Sequence, residues 1–468
     1  MNICLLNDSF PPVIDGVVNV VTNYADFLLR DHAAGVIVGT PRYPEADYGQ
    51  YPYPVAAYPS FDTASAAGGY RAGYPFAAKA LAELAAFGPD IIHSHSPASA
   101  TVIARLLREE TGAPVVFTYH TKYDIDIRRV VRAKLAAREA IAAMVNNIEA
   151  CDEVWTVSRG AGESLKALGF QGEYRVMPNG VDFPRGRAAP ERVREVTAGW
   201  DLPEGVPVFL FVGRMMTYKG LPLILDALKL LADRGKDFRM VFVGKGPDKA
   251  LLEEKAGTLG LIGSADRPDR CFFTGPIYDR DVLRAWNTRA DLFLFPSTFD
   301  TNGLVVREAA ACGLASVLIE GSCAAEGVTD GVNGFTIQET PEAMAALLEK
   351  VSGDPGRLRQ AGERAMEELY LSWQDCVALA YDRYGAILEE KAGGTLPARK
   401  KQPADRLIAL TAKTMEEREH RRRIYRELFR GFRETAVGMM ENIQEAEETA
   451  EHFLDQLSGD LRGRGRRG

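Results

Sequence analysis

Two carboxylates, Asp300 and Glu308, lie eight positions apart in the segment FDTNGLVVREAAACG and carry the strongest chemical signal in the chain. Gly303 lies between them and a helical apolar pattern follows, so the first acid belongs to a loop and the second to a helix. Upstream, in VGRMMTYKG, Arg214 and Lys219 directly follow an apolar strand pattern. Two cations and two carboxylates placed in this way suit a ligand with both phosphates and hydroxyls, such as a nucleotide sugar.

Each of these charges also has a plainer interpretation as a solvated surface group. Their position between apolar strands and helices favours the functional interpretation. Cations there would stabilise the charge that grows on a departing nucleoside diphosphate. Glu308 could accept hydrogen bonds from vicinal ribose hydroxyls, and the backbone amides of Asn302, Gly303 and Leu304 could point at the sugar or its phosphate.

The first half of the chain contributes a glycine and two histidines. In DSFPPVIDGVVNVV, Gly16 opens a helix after a strand, where backbone amides could approach a diphosphate, although a turn that only needs glycine fits equally well. His95 and His120 each follow a strand end, and a structural histidine is the alternative for either. His120 could donate a hydrogen bond to a sugar hydroxyl. A metal role is disfavoured because no third ligand has suitable spacing.

Composition bounds the class of protein. A chain of 468 residues with 46% hydrophobic content predicts two α/β domains and an appendage. The formal charge of −8 argues against a general nucleic-acid binder. Six scattered cysteines predict neither disulfides nor zinc and suit a reducing compartment. We expect neither a signal peptide nor a membrane-spanning helix. The prediction is therefore a cytoplasmic protein, which could also bind peripherally to the inner face of the cell membrane.

Short apolar runs alternate with helical patterns along both halves, which predicts parallel sheets with helices on both faces. Predicted strands lie at 3–6, 35–38, 91–93, 115–118, 154–157, 174–177, 208–212, 239–243, 271–273, 292–295, 316–319 and 334–337. Helices are predicted at 17–29, 76–87, 98–110, 130–150 and 161–168, with a loop at 51–76. The predicted organisation is a first Rossmann-like domain at 1–185, a linker at 186–202, a second domain at 203–371, a returning helix at 372–392 and a charged helical tail at 393–468.

Taken together, these motifs resemble the retaining glycosyltransferases of family 4, which have the two-domain GT-B fold. The resemblance covers roughly residues 1–390 and rests on DSFPPVIDGV, DIIHSHSP, TYHTKY, MPNGVD, FVGRMMTYKG, VFVGKGP, FTGPI, FPSTFDTNGLVVREAAACG and DGVNGF. The opening motif and YHTKY look closest to the branch that glycosylates membrane lipids, including diacylglycerol glucosyltransferases. Two Rossmann-like domains facing across a cleft are therefore expected, with the donor between them.

The resemblance also implies roles for individual residues. Gly16, Arg214 and Lys219 would contact the diphosphate. His120 would contact the donor sugar near its C6 hydroxyl, backbone around Ile277 the nucleobase, and Glu308 the ribose. Asp300 takes the place of the usual glutamate, which leaves open how the sugar hydroxyls are bound. Asp15 replaces a more common asparagine or glycine.

The function that follows is transfer of a hexose, with retention of configuration, from a nucleoside-diphosphate sugar, with UDP-glucose preferred, to a lipid such as diacylglycerol. No divalent metal or other cofactor is expected. Two alternatives stay open: a soluble sugar, polysaccharide or protein acceptor, and a catalytically weak nucleotide-sugar-binding protein. An NAD-binding oxidoreductase is disfavoured because neither half begins with a G-x-G-x-x-G turn.

A basic amphipathic segment, IDIRRVVRAKLAAREAIAAMV, bears on the acceptor. Its cations alternate with apolar residues and could lie on an anionic leaflet, although an ordinary solvated helix face is the alternative. The cations are Arg128, Arg129, Arg132, Lys134 and Arg138. The sequence does not decide whether the tail docks on the body, pairs with another subunit or contacts membrane.

Overall fold

In the computed structural model, the chain folds around two parallel β-sheets that belong to one compact unit, Met1–Lys413. The described residues are 1–13, 15–63, 70–131, 133–263 and 269–398, with positions 402, 405–408, 410, 411, 413 and 414 beyond them. For residues 126, 129 and 130 only the backbone is described. Most of the tail predicted at 393–468 lies outside the described residues.

The first sheet has seven strands in the order β3-β2-β1-β6-β7-β8-β9, all paired in parallel. A separate antiparallel hairpin is formed by β4 and β5. The strands are β1 (Asn2–Leu6), β2 (Gly35–Pro41), β3 (Val55–Tyr58), β4 (Ser60–Asp62), β5 (Arg71–Gly73), β6 (Ile91–Ser94), β7 (Val115–Tyr119), β8 (Glu153–Thr156) and β9 (Arg175–Val176).

The second sheet has six parallel strands in the order β12-β11-β10-β13-β14-β15. They are β10 (Val208–Val212), β11 (Arg239–Val243), β12 (Cys271–Gly275), β13 (Leu292–Phe295), β14 (Ser316–Ile319) and β15 (Phe335–Ile337). Central strands such as β10 are apolar at every position and wholly buried, as expected when helices cover both faces of a parallel sheet. The α/β class with two doubly wound domains is thus confirmed.

Helices cover both sheets. They are α1 (Gly16–His32), α2 (Ala78–Ala86), α3 (Ser99–Thr111), α4 (Tyr123–Val130), α5 (Lys134–Glu149), α6 (Arg159–Ala167), α7 (Pro190–Thr197), α8 (Leu221–Asp233), α9 (Lys249–Thr258), α10 (Arg280–Arg289), α11 (Leu304–Ala311), α12 (Pro341–Ser352), α13 (Pro355–Glu368) and α14 (Trp373–Ala392). No helix among the described residues is both long enough and apolar enough to span a bilayer.

After the second sheet the chain returns to the first lobe, the first sheet and its helices. Helix α14 belongs to the core of this lobe, where it packs against α1. Its Tyr384 stacks on Trp155 and its hydroxyl bonds to His93 Nδ1. The second lobe, built on the second sheet, contacts the first directly, since the Glu326 carboxylate accepts hydrogen bonds from the backbone N–H groups of Arg159 and Gly160. The two lobes are therefore joined by specific hydrogen bonds at one side of the gap between them.

Three local predictions differ from the structure. The loop expected at 51–76 contains strand β3 and the β4–β5 hairpin. The helix expected at 130–150 is α5, which begins only at Lys134. The amphipathic segment expected as one helix is interrupted, because α4 ends at Val130, the first of two β-branched valines, Val130 and Val131, which disfavour helix. The stretch expected as a linker at 186–202 contains α7, which begins at Pro190, a favourable first helical residue, and packs against α10.

Candidate active site

A cavity of about 1130 Å³ lies between the two lobes. Its walls are the loops that follow the carboxyl ends of strands β1, β7, β10 and β13, where open α/β sheets bind ligands. Among the predicted site residues, those that line it are Gly16, His120, Arg214, Lys219, Asp300, Asn302, Gly303 and Leu304. The structure thus brings together in space residues from four separate motifs.

The strongest polar contact in the cavity is the ion pair between Lys219 and Asp300. Lys219 Nζ lies 2.7 Å from Asp300 Oδ1 and 3.0 Å from Oδ2, and Ser297 Oγ donates to Oδ2 at 2.6 Å. The lysine is buried, at the end of a short 3-10 turn whose next residue, Gly220, has φ 79°. A Cβ at Gly220 would lie 2.6 Å from the Pro296 carbonyl oxygen. Glycine is therefore required for this close approach between the lysine turn and the Asp300 loop.

Arg214 is the second cation on the same wall, and it is exposed to the cavity. Its Nη2 lies 3.5 Å from the Tyr218 hydroxyl, so the guanidinium forms only a long contact of modest strength with this side chain. Tyr218 in turn contacts the Phe299 ring at 4.6 Å between centroids. A buried ammonium and an exposed guanidinium thus lie on one side of the cavity, as a diphosphate requires.

The loop between Asp300 and α11 closes the cavity with backbone and buried polar groups. Gly303 has φ 58°, in the left-handed region that favours glycine, and precedes Leu304 at the start of α11. Asn302 is buried, and its Nδ2 has no hydrogen-bond partner among the described residues. This amide is a donor available to a ligand.

The same loop is bonded across the gap to the first lobe. Thr301 Oγ1 donates to the backbone carbonyl of His120, and the Thr301 carbonyl accepts from Ser158 Oγ. Because these bonds join residues on opposite lobes, the position of the Asp300 loop depends on how the lobes meet.

His120 is buried at the cavity wall as a neutral side chain. Its Nε2 lies 2.9 Å from His95 Nδ1, and the two rings stack at 5.2 Å between centroids. Burial lowers the pKa of His120 to about 3. Its Nδ1 has no partner among the described residues, so it can bond a ligand hydroxyl. The described part of the chain contains no cluster of three His, Cys, Asp or Glu side chains suited to a metal ion.

Gly16 faces open space, since a Cβ built there would have no atom within 4 Å. The preceding residue, Asp15, is the N-cap of α1, and its Oδ1 accepts from the Val18 N–H at 2.7 Å. One amide of this helix terminus is therefore already bonded within the protein. The close approach at Gly16 is possible, but the Asp15 carboxylate brings negative charge to that end of the helix.

Glu308 and Ile277 do not line the cavity. Ile277 is partly buried against the core of the second lobe. Glu308 Oε1 accepts from Arg280 Nη2 at 2.7 Å, and burial raises the pKa of this carboxyl while Arg280 opposes the shift. Arg280 also lies over the Phe183 ring, at 4.4 Å from the centroid. Glu308 lies one helical turn beyond Leu304, which does line the cavity.

Two residues of this region, Arg280 and Asp8, were not among those predicted from the sequence. Arg280 lies three positions after Ile277, but no spacing rule connects it to Glu308. Asp8 lies in the DSFPP motif, two residues after the end of β1, and it lines the cavity. A charged residue two positions past a buried strand is the signal that could have identified Asp8.

Comparison with known proteins adds two family matches. The model described as Glycosyltransferase Family 4 matches residues 14–185, and the model described as Glycosyl transferases group 1 matches residues 194–368. Between them they include every strand of the two parallel sheets except β1.

Among curated proteins, the chain is 30% identical over 324 residues to a GDP-mannose-dependent alpha-(1-6)-phosphatidylinositol dimannoside mannosyltransferase of Mycobacterium tuberculosis. This match covers 68% of the chain and 79% of that protein. An alpha-monoglucosyldiacylglycerol synthase of Streptococcus pneumoniae is 24% identical over 361 residues, or 76% of the chain and 79% of the relative.

Among solved structures, Anabaena HepE in complex with UDP matches with a TM-score of 0.64 at 18% identity. The match covers 82% of the chain and all of HepE. At this identity the likeness concerns the fold.

Proposed function

The chain belongs to the glycosyltransferases of family 4 with the GT-B fold, and from this premise we propose that it moves a hexose from a nucleoside-diphosphate sugar to a membrane lipid, retaining the anomeric configuration. The chain is a glycosyltransferase; the donor, the hexose and the acceptor are the proposal. We propose UDP-glucose as donor and a lipid such as diacylglycerol as acceptor.

The observation that carries the donor assignment is the pair of cations at the carboxyl end of β10. Arg214 and Lys219 lie on the second-lobe wall of the interlobe cavity, beside the loop of Asp300. A diphosphate bound there would replace Asp300 as a partner of Lys219, and its growing charge would be stabilised as the sugar leaves. The Asn302 Nδ2 amide is a buried donor that would bind a sugar hydroxyl, and the unpartnered His120 Nδ1 would bind a second hydroxyl as donor or acceptor according to its tautomer.

In this proposal the acceptor hydroxyl attacks from the face of the leaving diphosphate, whose phosphate takes the proton, as the family resemblance implies. The oxygen–carbon bond to the acceptor forms as the bond to the diphosphate breaks. The protein supplies binding, orientation and charge. No divalent metal is proposed, since Arg214 and Lys219 provide the countercharge.

The test is a thermal-shift panel of UDP, GDP and ADP and their glucose and mannose conjugates, followed by turnover with the best donor. We expect UDP and UDP-glucose to raise the melting temperature most. Transfer with the best donor to diacylglycerol in mixed micelles is then expected to give an α-linked product. Stabilisation by GDP-mannose alone would contradict the UDP-glucose assignment, and inversion would contradict retention.

The lipid acceptor is supported by an apolar wall on the first-lobe side. Four cavity-lining side chains there come from α4 and α5: Ile127, Ala140, Ala143 and Met144. At the start of α5, Leu135 is 72% exposed beside the exposed cations Lys134 and Arg138. Ile141, by contrast, is buried in the protein, so only part of the predicted amphipathic face is available to a membrane. Arg132 and the side chain of Arg129 lie outside the described residues.

Neutralising the described cations of this segment is expected to weaken membrane binding. Each cation near an anionic surface contributes about 1 kcal/mol, so the triple variant Arg128→Gln, Lys134→Gln, Arg138→Gln would lose roughly 10²-fold in partitioning. Co-sedimentation with vesicles containing 30% phosphatidylglycerol would measure it. The matched control neutralises Lys236, Lys350 and Arg359, which are exposed on the second lobe. Equal binding by both triple variants would favour a soluble acceptor instead.

A further inference from the structure

The cavity has walls of opposite character. Its second-lobe side carries Arg214 and Lys219, whereas the polar lining of the first-lobe side consists largely of carboxylates and hydroxyls. These are Asp8, Ser9, Asp15, Tyr70, Ser96, Thr121 and Tyr123, and the other uncharged polar residues of this side are His120, Asn147 and Asn179. Arg71 also lies on this side, but its guanidinium donates to Ser60 Oγ at 2.8 Å and to the Ser60 carbonyl at 3.1 Å. Arg71 keeps its positive charge, but two carboxylates, Asp8 and Asp15, line the same side, so the group that binds opposite the donor meets a net negative charge among the described lining residues.

The two carboxylates of this wall differ in what they bond. Asp15 uses both oxygens within the protein: Oδ1 accepts from the Val18 N–H, while Oδ2 accepts from Ser9 Oγ at 3.1 Å and the Tyr70 hydroxyl at 3.0 Å. These bonds explain its place as the cap of α1. Asp15 therefore needs no ligand.

Asp8 has only one of its oxygens satisfied. Oδ1 accepts from the Ala100 N–H at 2.9 Å, in the first turn of α3, and lies 3.5 Å from the Tyr58 hydroxyl. Oδ2 is buried and has no hydrogen-bond partner among the residues that the structure describes. A buried carboxylate oxygen without a donor is costly, so a group in the cavity that donates a hydrogen bond would be stabilised there.

The charge of Asp8 decides which groups qualify. Burial raises the pKa of Asp8 to about 6, while the backbone N–H groups at the start of α3 oppose the shift. The side chain is therefore mostly ionised at neutral pH and can only accept hydrogen bonds. A hydroxyl can donate to it. A phosphodiester or an ionised carboxylate cannot, and either would place like charge beside Asp8 and Asp15.

On the premise of the transferase function proposed above, we infer that Asp8 binds the acceptor through a hydroxyl and selects an uncharged, hydroxyl-bearing headgroup over an anionic one. The two walls then have separate tasks. The basic wall holds the diphosphate of the donor, and the acidic wall keeps a second anion from binding in the acceptor position. The apolar side chains of α4 and α5 hold the part of the lipid next to the headgroup.

The experiment compares wild type and Asp8→Asn with two acceptors in the same mixed micelles, glucosyl diacylglycerol and phosphatidylinositol. Asparagine keeps the size of the side chain and an acceptor oxygen for the Ala100 N–H. Wild type is expected to have a kcat/KM about 10-fold or more higher for the neutral glycolipid. Asp8→Asn is expected to raise the KM for that lipid about 10-fold, with the donor KM unchanged, and to reduce the preference between lipids.

Two further variants serve as controls for Asp8→Asn. Asp90→Asn is the matched control, because Asp90 is a first-lobe carboxylate that accepts from the Asn2 N–H at 2.7 Å and does not line the cavity. It is expected to behave as wild type. If Asp8→Asn fails to fold, Asp8→Glu keeps the charge, and it is expected to raise the acceptor KM while retaining the preference for the neutral lipid.

The outcomes separate this inference from the proposed function. Transfer that prefers phosphatidylinositol, or an Asp8→Asn variant with an unchanged acceptor KM, would overturn the inference and leave the transferase proposal intact. Absence of transfer to any lipid, together with no thermal shift by any nucleotide sugar, would overturn both. Transfer that prefers the glycolipid and weakens in Asp8→Asn would support both.

Discussion

Replacing Lys219 with methionine is expected to lower kcat by about 10³-fold, the upper range for loss of one charged contact to a developing anion. Lys219 is the buried cation of the interlobe cavity, and its Nζ lies 2.7 Å from Asp300 Oδ1. Methionine keeps the length and apolar stem of the side chain but removes the charge. Single-turnover measurements with saturating donor would show the loss in the chemical step, whereas loss of donor binding alone would appear in KM.

Two variants separate the lost charge from its side effects. Lys219→Met leaves Asp300 without its cation, so the double variant Lys219→Met, Asp300→Asn removes the unpaired carboxylate as well; it is expected to stay as slow as the single variant. Lys255→Met is the matched control, because Lys255 also pairs with an aspartate, Asp226, at 2.8 Å, but does not line the cavity. Recovery of activity in the double variant would show that Lys219 only neutralises Asp300.

The pattern of strands and glycines predicted the parts of the site that are local in sequence. Arg214 and Lys219 follow β10 within a few residues, so their arrival at the sheet edge depends only on where that strand ends. The same holds for the loop of Asn302 and Gly303, which lies between β13 and α11. Periodicity locates such ends well because a buried parallel strand is apolar at every position.

Contacts between distant segments were beyond the reach of a single sequence. The bond from Thr301 Oγ1 to the His120 carbonyl joins residues 181 positions apart on different lobes. The pairing of Arg280 with Glu308 depends on how α10 packs beside α11. Such contacts are set by the relative placement of helices and lobes, which periodicity does not encode. The break between α4 and α5 was missed for another reason: neither proline nor glycine marks it.

The ion pair of Arg280 with Glu308 bears on how the ribose would be bound. A carboxylate that accepts from two vicinal hydroxyls has to be ionised, but burial raises the pKa of Glu308. The Arg280 guanidinium counteracts this shift and occupies Oε1. Asp182, 3.5 Å from Arg280, and the buried Cys312 thiol are the other titratable groups nearby, and the charge of Asp182 raises the pKa of Glu308 further. Arg280 is therefore the group that lowers the pKa of Glu308 and favours its ionised form.

Glu308→Gln is expected to lower kcat/KM for the donor by about 10³-fold, since hydrogen bonds to a charged group contribute roughly 1.5–3 kcal/mol each and two are weakened. The loss would appear mainly in donor KM and in the binding of the free nucleoside diphosphate, measured by calorimetry. Glu349→Gln is a suitable control, because Glu349 also pairs with an arginine, Arg234, at 2.8 Å, but in a separate ion pair.

Acidification provides a second measurement of the same carboxyl. Because the pKa of Glu308 is raised, the donor KM of wild type is expected to rise as the pH falls through that pKa, when the carboxyl takes up a proton. Arg280→Met removes the group that lowers this pKa, so the rise should begin at a higher pH, and Arg280→Lys should restore part of the difference. A donor KM that does not vary with pH in either protein would exclude an ionised Glu308 as the ribose ligand.

Stability distinguishes loss of function from loss of fold. A carboxyl whose pKa is raised by folding favours the folded state when protonated, and this contribution is lost as the pH rises through the folded-state pKa. Ionisation of Glu308 therefore costs stability, and Glu308→Gln, which stays uncharged at every pH, should melt no lower than wild type although it binds donor far more weakly. A marked fall in its melting temperature would instead assign Glu308 a structural role. A carboxylate that serves ligand binding is not expected to stabilise the ligand-free protein.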